Sequence, residues 1–279
     1  MNVSLNDMAN LKTPLRYPGG KSRAVPKLFE FLPPKMTEYR EPFLGGGSMA
    51  IAITQSFPDV PVWVNDLYEP LVNFWQQLQM FGSDLQTKLT AVKSEYDTPD
   101  KARNLFLQAK EQINDQSVPS IDRALAFYVV NKCSFSGLTE SSSFSPQASD
   151  NNFSLRGIEK LREYSKIIEK WKITNYSYEY LFTDDEHCFI YLDPPYDIKD
   201  NLYGNKGNMH KGFDHSLFAD RCDACLSNLM ISYNNDPRVR DRFEEWNKYD
   251  WDHTYTMRST GDYTKDQKSR RELLLTNYH

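Results

Sequence analysis

The chain lacks the overall positive charge that would mark it as a nucleic-acid binder. Its 279 residues carry 33 Lys and Arg against 38 Asp and Glu, a net charge of −5. Any contact with a polyanion must therefore come from local patches. No apolar run approaches the roughly 20 residues of a membrane span. The start, MNVSLNDMANLK, has no basic stretch followed by an apolar one, so a secretory leader is not expected and the expected compartment is the cytoplasm. No internal repeat is visible. Cysteine is scarce: Cys133, Cys188, Cys222 and Cys225. The last two form a C-x-x-C, but no second pair or nearby histidines complete a zinc site, and the surroundings are not thioredoxin-like. HSLFADRCDACLSNLM reads instead as an amphipathic helix in which both thiols share a buried face. His210 and His215 have only loose metal-like spacing and read as loop or surface residues, so no metal is expected.

What the chain has is a set of short strands that stop abruptly. EYREPFLGGGS reads as a strand breaking into a glycine loop, and SMAIAITQSF as a helix with Ser48 as N-cap. VPVWVND reads as a strand ending at Asn65 and Asp66. From about Glu69 to about Trp171 the spacing turns helical: EPLVNFWQQLQMF, LQTKLTAVKSEY, KARNLFLQAKEQI, IDRALAFYVVNK and GIEKLREYSKIIEKW. Strands return in HCFIYLDPPY, NLMISYNN and RRELLLTNY. The pattern predicts a doubly wound α/β sheet with a helical insertion. Residues 1–70 and 172–279 form the sheet domain, and 71–171 the insertion.

Two glycine-rich loops could cradle a ligand. RYPGGKS tempts a phosphate-loop reading, but the position five before Gly20 holds Leu15 where that motif needs glycine. A Gly-Gly-Lys turn at a helix start still suits a carboxylate or phosphate. GGGSMA fits G-x-G-x-x-A through Gly45, Gly47 and Ala50, with Asp66 about 20 residues on, where the dinucleotide fingerprint places a carboxylate for a ribose diol. Any adenosine-bearing cofactor presents the same hydroxyls.

The stretch YLDPPYD ends a buried strand with a carboxylate, two prolines and an aromatic ring. The prolines fix the backbone and remove two donors while keeping their carbonyl acceptors. Ionised Asp193 only accepts. A stiff cluster of acceptors beside the Tyr196 ring suits a planar group carrying an NH₂.

Taken in order, LRYPGGKS, EPFLGGGS, VND, a helical insert and DPPY resemble the Dam-like, α-class N6-adenine DNA methyltransferases over nearly the whole chain. The resemblance implies a Rossmann-like S-adenosylmethionine-dependent fold and methyl transfer to N6 of adenine in double-stranded DNA. It implies Asp193, Pro194, Pro195 and Tyr196 as the catalytic tetrapeptide. Tyr17, Lys21, Phe43, Gly45, Gly47, Asp66 and Asp193 would line the cofactor, Asp66 on the ribose. The insertion would read DNA through a loop that here runs NKCSFSGLTESSSFS. Asn131, Lys132, Phe135, Ser136, Gly137 and Leu138 are its candidate contacts. Where GATC-reading members place a basic residue, this chain has Thr139, Glu140 and serines, which argues against GATC. Lys206 and Lys211, and Arg258, Arg270 and Arg271, are the basic residues that would face phosphate. Alternatives that stay open are transfer to cytosine N4 or to an RNA adenine, a non-catalytic DNA-occluding relative, and a nicotinamide oxidoreductase. A cognate restriction endonuclease stays open as a partner.

Overall fold

The computed structural model describes residues 11–17, 19–135, 137, 142–196, 212–252 and 271–279. The strands are β1 (Glu38–Glu41), β2 (Val62–Asn65), β3 (Lys172–Thr174), β4 (Cys188–Leu192), β5 (Asn228–Asn234), β6 (Asn247–Asp252) and β7 (Arg271–Thr276). They form one sheet in the order β3-β2-β1-β4-β5-β7-β6. All pairings are parallel except the two made by β7, which runs antiparallel between β5 and β6. This is the expected doubly wound, Rossmann-like α/β architecture.

The central strand shows why it is a strand. All five residues of β4 are buried, as in a parallel strand covered on both faces. Phe189 and Tyr191 enter one apolar cluster with Tyr39, Met230 and Leu274. Cys188, Ile190 and Leu192 enter the other with Leu229, Ile231 and Leu273. The second face is covered by helices His215–Asp223 and Pro237–Arg242, through Phe218, Val239 and Phe243.

The helices before β4 are α1 (Val25–Leu28), α2 (Ser48–Ser56), α3 (Glu69–Glu95), α4 (Pro99–Gln112), α5 (Ser120–Cys133), α6 (Pro146–Asn151), α7 (Leu155–Glu159) and α8 (Leu161–Ile167). Leu71, Phe74 and Trp75 of α3 and Phe127 of α5 belong to the same apolar cluster as Tyr39 and Phe189, so the helical stretch leans directly on the sheet.

Several local readings change. Two expected helices fuse into α3, which kinks at Phe81 (φ −131, ψ 34). Gly82 follows, where a Cβ would lie 2.5 Å from the Ser165 side chain, so glycine lets α8 approach. The one helix read across residues 157–171 is two, meeting at Lys160. Ser48 is the first helical residue of α2 rather than its cap; left-handed Gly47 precedes it, and the Ser48 hydroxyl pairs with Ser22. Cys222 is buried in its helix, but that helix ends at Asp223. Cys225 lies beyond it, only partly buried, its thiol donating to the Thr183 carbonyl, so the two thiols do not share a helical face. His215 is no loop residue: it opens the same helix and bonds the Tyr233 hydroxyl. His210 lies outside the described residues. Strands β3 and β6 were not legible, because KIT is short and NKYDWD is polar, as suits strands on sheet edges. No helix among the described residues is long and apolar enough to cross a membrane.

Candidate active site

Beyond the carboxyl ends of β1 to β4 lies a cavity of about 350 Å³. It sits where the strand order reverses, between β1 and β4, the usual ligand crevice of such sheets. Each of these strands contributes residues just past its end: Phe43 and Gly45 after β1, Asp66 after β2, Tyr176 after β3 and Asp193 after β4.

Packing fixes the glycine loop. Gly45 (φ 49) and Gly47 (φ 68) are left-handed. A Cβ on Gly45 would stand 3.0 Å from the Tyr17 ring, and one on Gly47 2.9 Å from Trp75. Asp66 ties the loop to β2: its Oδ2 accepts from the Gly45 N–H at 2.9 Å and its Oδ1 from the Tyr68 N–H at 3.0 Å. Burial raises the Asp66 pKa, and these backbone donors oppose the rise. An ionised carboxylate has about four acceptor sites, so Asp66 keeps acceptor capacity on the cavity it lines. The Phe43 ring packs against Tyr178, Phe213 and Phe218, forming an aromatic wall.

The tip of β4 is held by a lysine from the N-terminal turn. Lys21 Nζ donates to both Asp193 oxygens, at 2.8 and 2.9 Å, and to the Gly19 carbonyl at 3.0 Å. Lys21 is 4% exposed, and Asp193 keeps 22% exposure. Burial works against the ammonium, but Asp193, Glu272 and Tyr191 outweigh it and raise its pKa. Burial raises the Asp193 pKa too, with Lys21 opposing. The Gly-Gly-Lys turn thus does bind a carboxylate, the chain's own. Lys21 Nζ also lies 5.0 Å from the centre of the Tyr196 ring, whose hydroxyl donates to Glu272 Oε2 at 2.7 Å. Asp193 and Pro195 line the cavity; Pro194 and Tyr196 do not.

Sequence reading missed three residues here. Glu41 ends β1, 3% exposed, and accepts from the Tyr39 hydroxyl at 2.6 Å. Burial pushes its carboxyl up to about 8 despite that bond. Glu272 sits inside β7, 2% exposed. For Glu272 an acid inside an apolar strand was the available signal; for Glu41, in the polar strand EYRE, no such signal existed. Arg16 is the third. Its guanidinium donates to the Ser134 and Phe135 carbonyls at 2.7 and 3.1 Å, clamping the loop after α5 to the N-terminal segment.

That loop holds the expected DNA contacts. Asn131 is fully buried: its side chain accepts from the Arg16 N–H and donates to the Arg16 and Gly137 carbonyls. Lys132 lies over the Tyr128 ring, and burial, then Arg16, pulls its ammonium down to about 8. Phe135 is 59% exposed. Gly137 (φ 74) borders the cavity, and a Cβ there would lie 2.5 Å from the Arg16 carbonyl. Gly137→Ala is therefore expected to undock the loop and lower the melting temperature by about 3 °C or more. Gly137→Asn tolerates the dihedral but not the contact, so it is expected to be equally harmful. Melts within about 1 °C of wild type would contradict the docking. Ser136, Leu138, Lys206, Lys211, Arg258 and Arg270 lie outside the described residues, and Arg271 is described only as the first residue of β7.

Among the described residues lining the cavity, Glu41, Asp66, Glu179, Asp193 and Asp214 face Lys21 as the one basic side chain. No group of three or more metal-ligating side chains occurs among the described residues. The cavity thus has a glycine-loop floor, an aromatic wall and more acidic than basic side chains in its lining.

Sequence comparison agrees in kind. The family described as D12 class N6 adenine-specific DNA methyltransferase matches residues 17–257. The chain is 22% identical to the type II methyltransferase M1.LlaDCHI of Lactococcus lactis subsp. cremoris, covering 100% of this chain and 99% of that one. It is 25% identical to the type II methyltransferase M.MjaIII of Methanocaldococcus jannaschii, over 65% of this chain and 68% of that one. It is 21% identical to the type II methyltransferase M.CviBI of Paramecium bursaria Chlorella virus NC1A, over 96% and 100%.

Proposed function

The chain belongs to the D12 class of N6 adenine-specific DNA methyltransferases, and on that premise we propose that it methylates N6 of an adenine flipped out of a specific double-stranded DNA site, with S-adenosylmethionine as donor. The observation that carries the cofactor reading is the acidity of the cavity. S-adenosylmethionine bears a sulfonium and an ammonium against one carboxylate, a net cation. A nicotinamide dinucleotide would lay an anionic pyrophosphate over the glycine loop, beside buried Glu41 and Asp66. That charge pattern favours the sulfonium and disfavours the oxidoreductase alternative. Asp66 would hold the ribose hydroxyls, and Glu41 the methionyl cationic end.

When bound, S-adenosylmethionine supplies an electrophilic methyl group on sulfur. The rest of the chemistry falls to this chain. Adenine N6 is a poor nucleophile because its lone pair is delocalised into the ring. Asp193 and the Pro194 carbonyl would accept the two amine hydrogens, freeing the lone pair, and Asp193 would stabilise the positive charge building on N6 until the methylated amine releases one proton to solvent. Tyr196 would stack the base, which must leave the duplex for N6 to be reached. The closeness of the Asp193 carboxylate to the Tyr196 ring, with Lys21 Nζ bonded to the one and 5.0 Å from the centre of the other, supports the reading that both could engage one amine-bearing ring. Most of the rate enhancement would come from positioning.

Residues 71–171 would read the DNA, and 1–70 with 172–279 would carry the chemistry. Exposed Phe135 would meet the base stack, and Lys132 with the basic segments around Lys206, Lys211, Arg258, Arg270 and Arg271 would meet phosphate.

Glu41 supplies the test of the cofactor reading. Its carboxyl stays protonated to about 8, and a bound cation favours its ionised form. Affinity for S-adenosylmethionine, by calorimetry, is expected to rise with pH up to about 8. Glu41→Gln should bind about tenfold more weakly at pH 8, with no pH slope. Stability should move oppositely. The folded pKa of Glu41 is raised above the model-peptide 4.5, so its preference for the folded state is complete below that value and is lost as pH rises through about 8. Glu41→Gln should thus melt above wild type at pH 8 and level with it at pH 4. A variant that binds the cofactor as tightly as wild type at every pH, or binding of NAD in preference to the sulfonium, would overturn the reading.

A further inference from the structure

We infer that Glu272 is a positioning residue for methyl transfer, acting through the hydroxyl of Tyr196 to set the face on which the target base lies; this rests on the adenine-methylation reading above. Glu272 stands in β7, opposite Asn234 of β5, and is 76 positions along the chain from Tyr196. Strand alternation places it on the same sheet face as Leu274, which packs with Tyr191 and Tyr39, while Leu273 and Leu275 point to the other face. At 2% exposure a carboxylate is expensive to keep. A Gln or a hydrophobe would fill the strand at lower cost unless the charge is used.

The geometry shows its use. A phenol ring has one polar handle, and here it donates to Glu272 Oε2 at 2.7 Å. A bond to a carboxylate is shorter and roughly twice as strong as one to a neutral acceptor. The Tyr233 ring stacks on Tyr196 with centroids 6.0 Å apart and an interplanar angle of 29°. Stacking restrains tilt, and the Glu272 bond pins the hydroxyl end of a ring whose other end is tethered at Cβ, so that swings about χ1 are restrained as well. Glu272 also lies in the field of Lys21. Burial raises the Glu272 pKa and Lys21 lowers it, so the ammonium on Asp193 also favours the ionised acceptor of Tyr196. The catalytic carboxylate, the stacking ring and Glu272 are thereby joined around one lysine.

The test is a double-mutant cycle read by transfer of tritiated methyl from S-adenosylmethionine to unmethylated genomic DNA, with melting temperature and cofactor affinity measured alongside. Glu272→Ala is expected to lower kcat about 10- to 100-fold, the scale of a misplacement of about 1 Å, with cofactor affinity within about threefold. Glu272→Gln, which keeps a neutral and weaker acceptor, should recover only part of the loss. Tyr196→Phe, which removes the same bond from the other side, should lower kcat, and Glu272→Ala with Tyr196→Phe should be no slower than Glu272→Ala alone. A wild-type kcat in Tyr196→Phe, or a double variant slowed by the product of the single losses, would overturn the proposal even if Glu272→Ala fails to fold. A wild-type protein that labels no adenine would overturn this proposal together with the methylation reading.

Discussion

Asp193→Asn is expected to slow adenine methylation by about 10²- to 10³-fold, the cost of losing one group aimed at developing charge, while leaving cofactor affinity within a few-fold. Asparagine keeps the shape and one acceptor oxygen, but its amide donors would face an amine that needs acceptors. It also removes the negative charge that would balance the charge rising on N6. Asp193→Ala is the cruder experiment. It leaves the Lys21 ammonium, 4% exposed, with the Gly19 carbonyl as its hydrogen-bond acceptor among the described residues. Breaking a buried pair costs about 3–5 kcal/mol. The 22% exposure of Asp193 to the cavity puts this case near the lower end. Asp193→Asn should therefore separate catalysis from folding where Asp193→Ala confounds them. An Asn variant within tenfold of wild type would remove Asp193 from the chemistry.

Lys21→Met should have an effect of similar size, but one that depends on pH. Burial pushes the Asp193 pKa up and Lys21 holds it down. Without the cation the Asp193 pKa would rise further, and a protonated Asp193 is a donor where an acceptor is needed. Methylation by Lys21→Met is expected to be about 100-fold slower at pH 7 and to recover with rising pH more steeply than wild type, because loss of the cation moves the Asp193 pKa upward. A Met variant whose rate falls by the same factor at every pH would mean that Lys21 acts on the cofactor or on folding and not on Asp193. Lys21→Arg, which keeps the charge but not the compact ammonium, should lie between the two.

These two residues show what the sequence made legible. Asp193 announced itself: a charge and two prolines cannot continue a buried strand, so DPPY had to be a strand end, and in a doubly wound sheet strand ends face the ligand. Asp66 and the glycine loop were legible for the same reason, as polar residues at fixed offsets from apolar runs. The Lys21–Asp193 bond spans 172 positions, and the Tyr196–Glu272 bond spans 76; no local period encodes either. Glu272 was hidden because one acid does not stop a strand that reads RRELLLTNY. Strands β3 and β6 were hidden because their ladders, to β2 and β7, stabilise segments that are too short or too polar to read as strands. Ser48 misled for a different reason. A serine before an apolar run is a fair cap signal, but left-handed Gly47 already turns the chain there, which frees the serine for Ser22. At the end of α5 and in the loop after it, Asn131 and Gly137 were singled out as DNA contacts. Their visible bonds hold Arg16 and so set the loop's place beside the cavity.

The central claim is the reaction itself, and one assay addresses it. Purified protein, S-adenosylmethionine carrying a tritiated methyl group and unmethylated genomic DNA are incubated. The DNA is then digested, its nucleosides are separated, and a parallel sample is read by long-read sequencing for modified positions. The account predicts label in N6-methyladenine alone, at one recurring sequence, with an initial rate about 10²- to 10³-fold lower from the Asp193→Asn protein. Label in N4-methylcytosine, or no label on DNA from a protein that binds the cofactor, would contradict it.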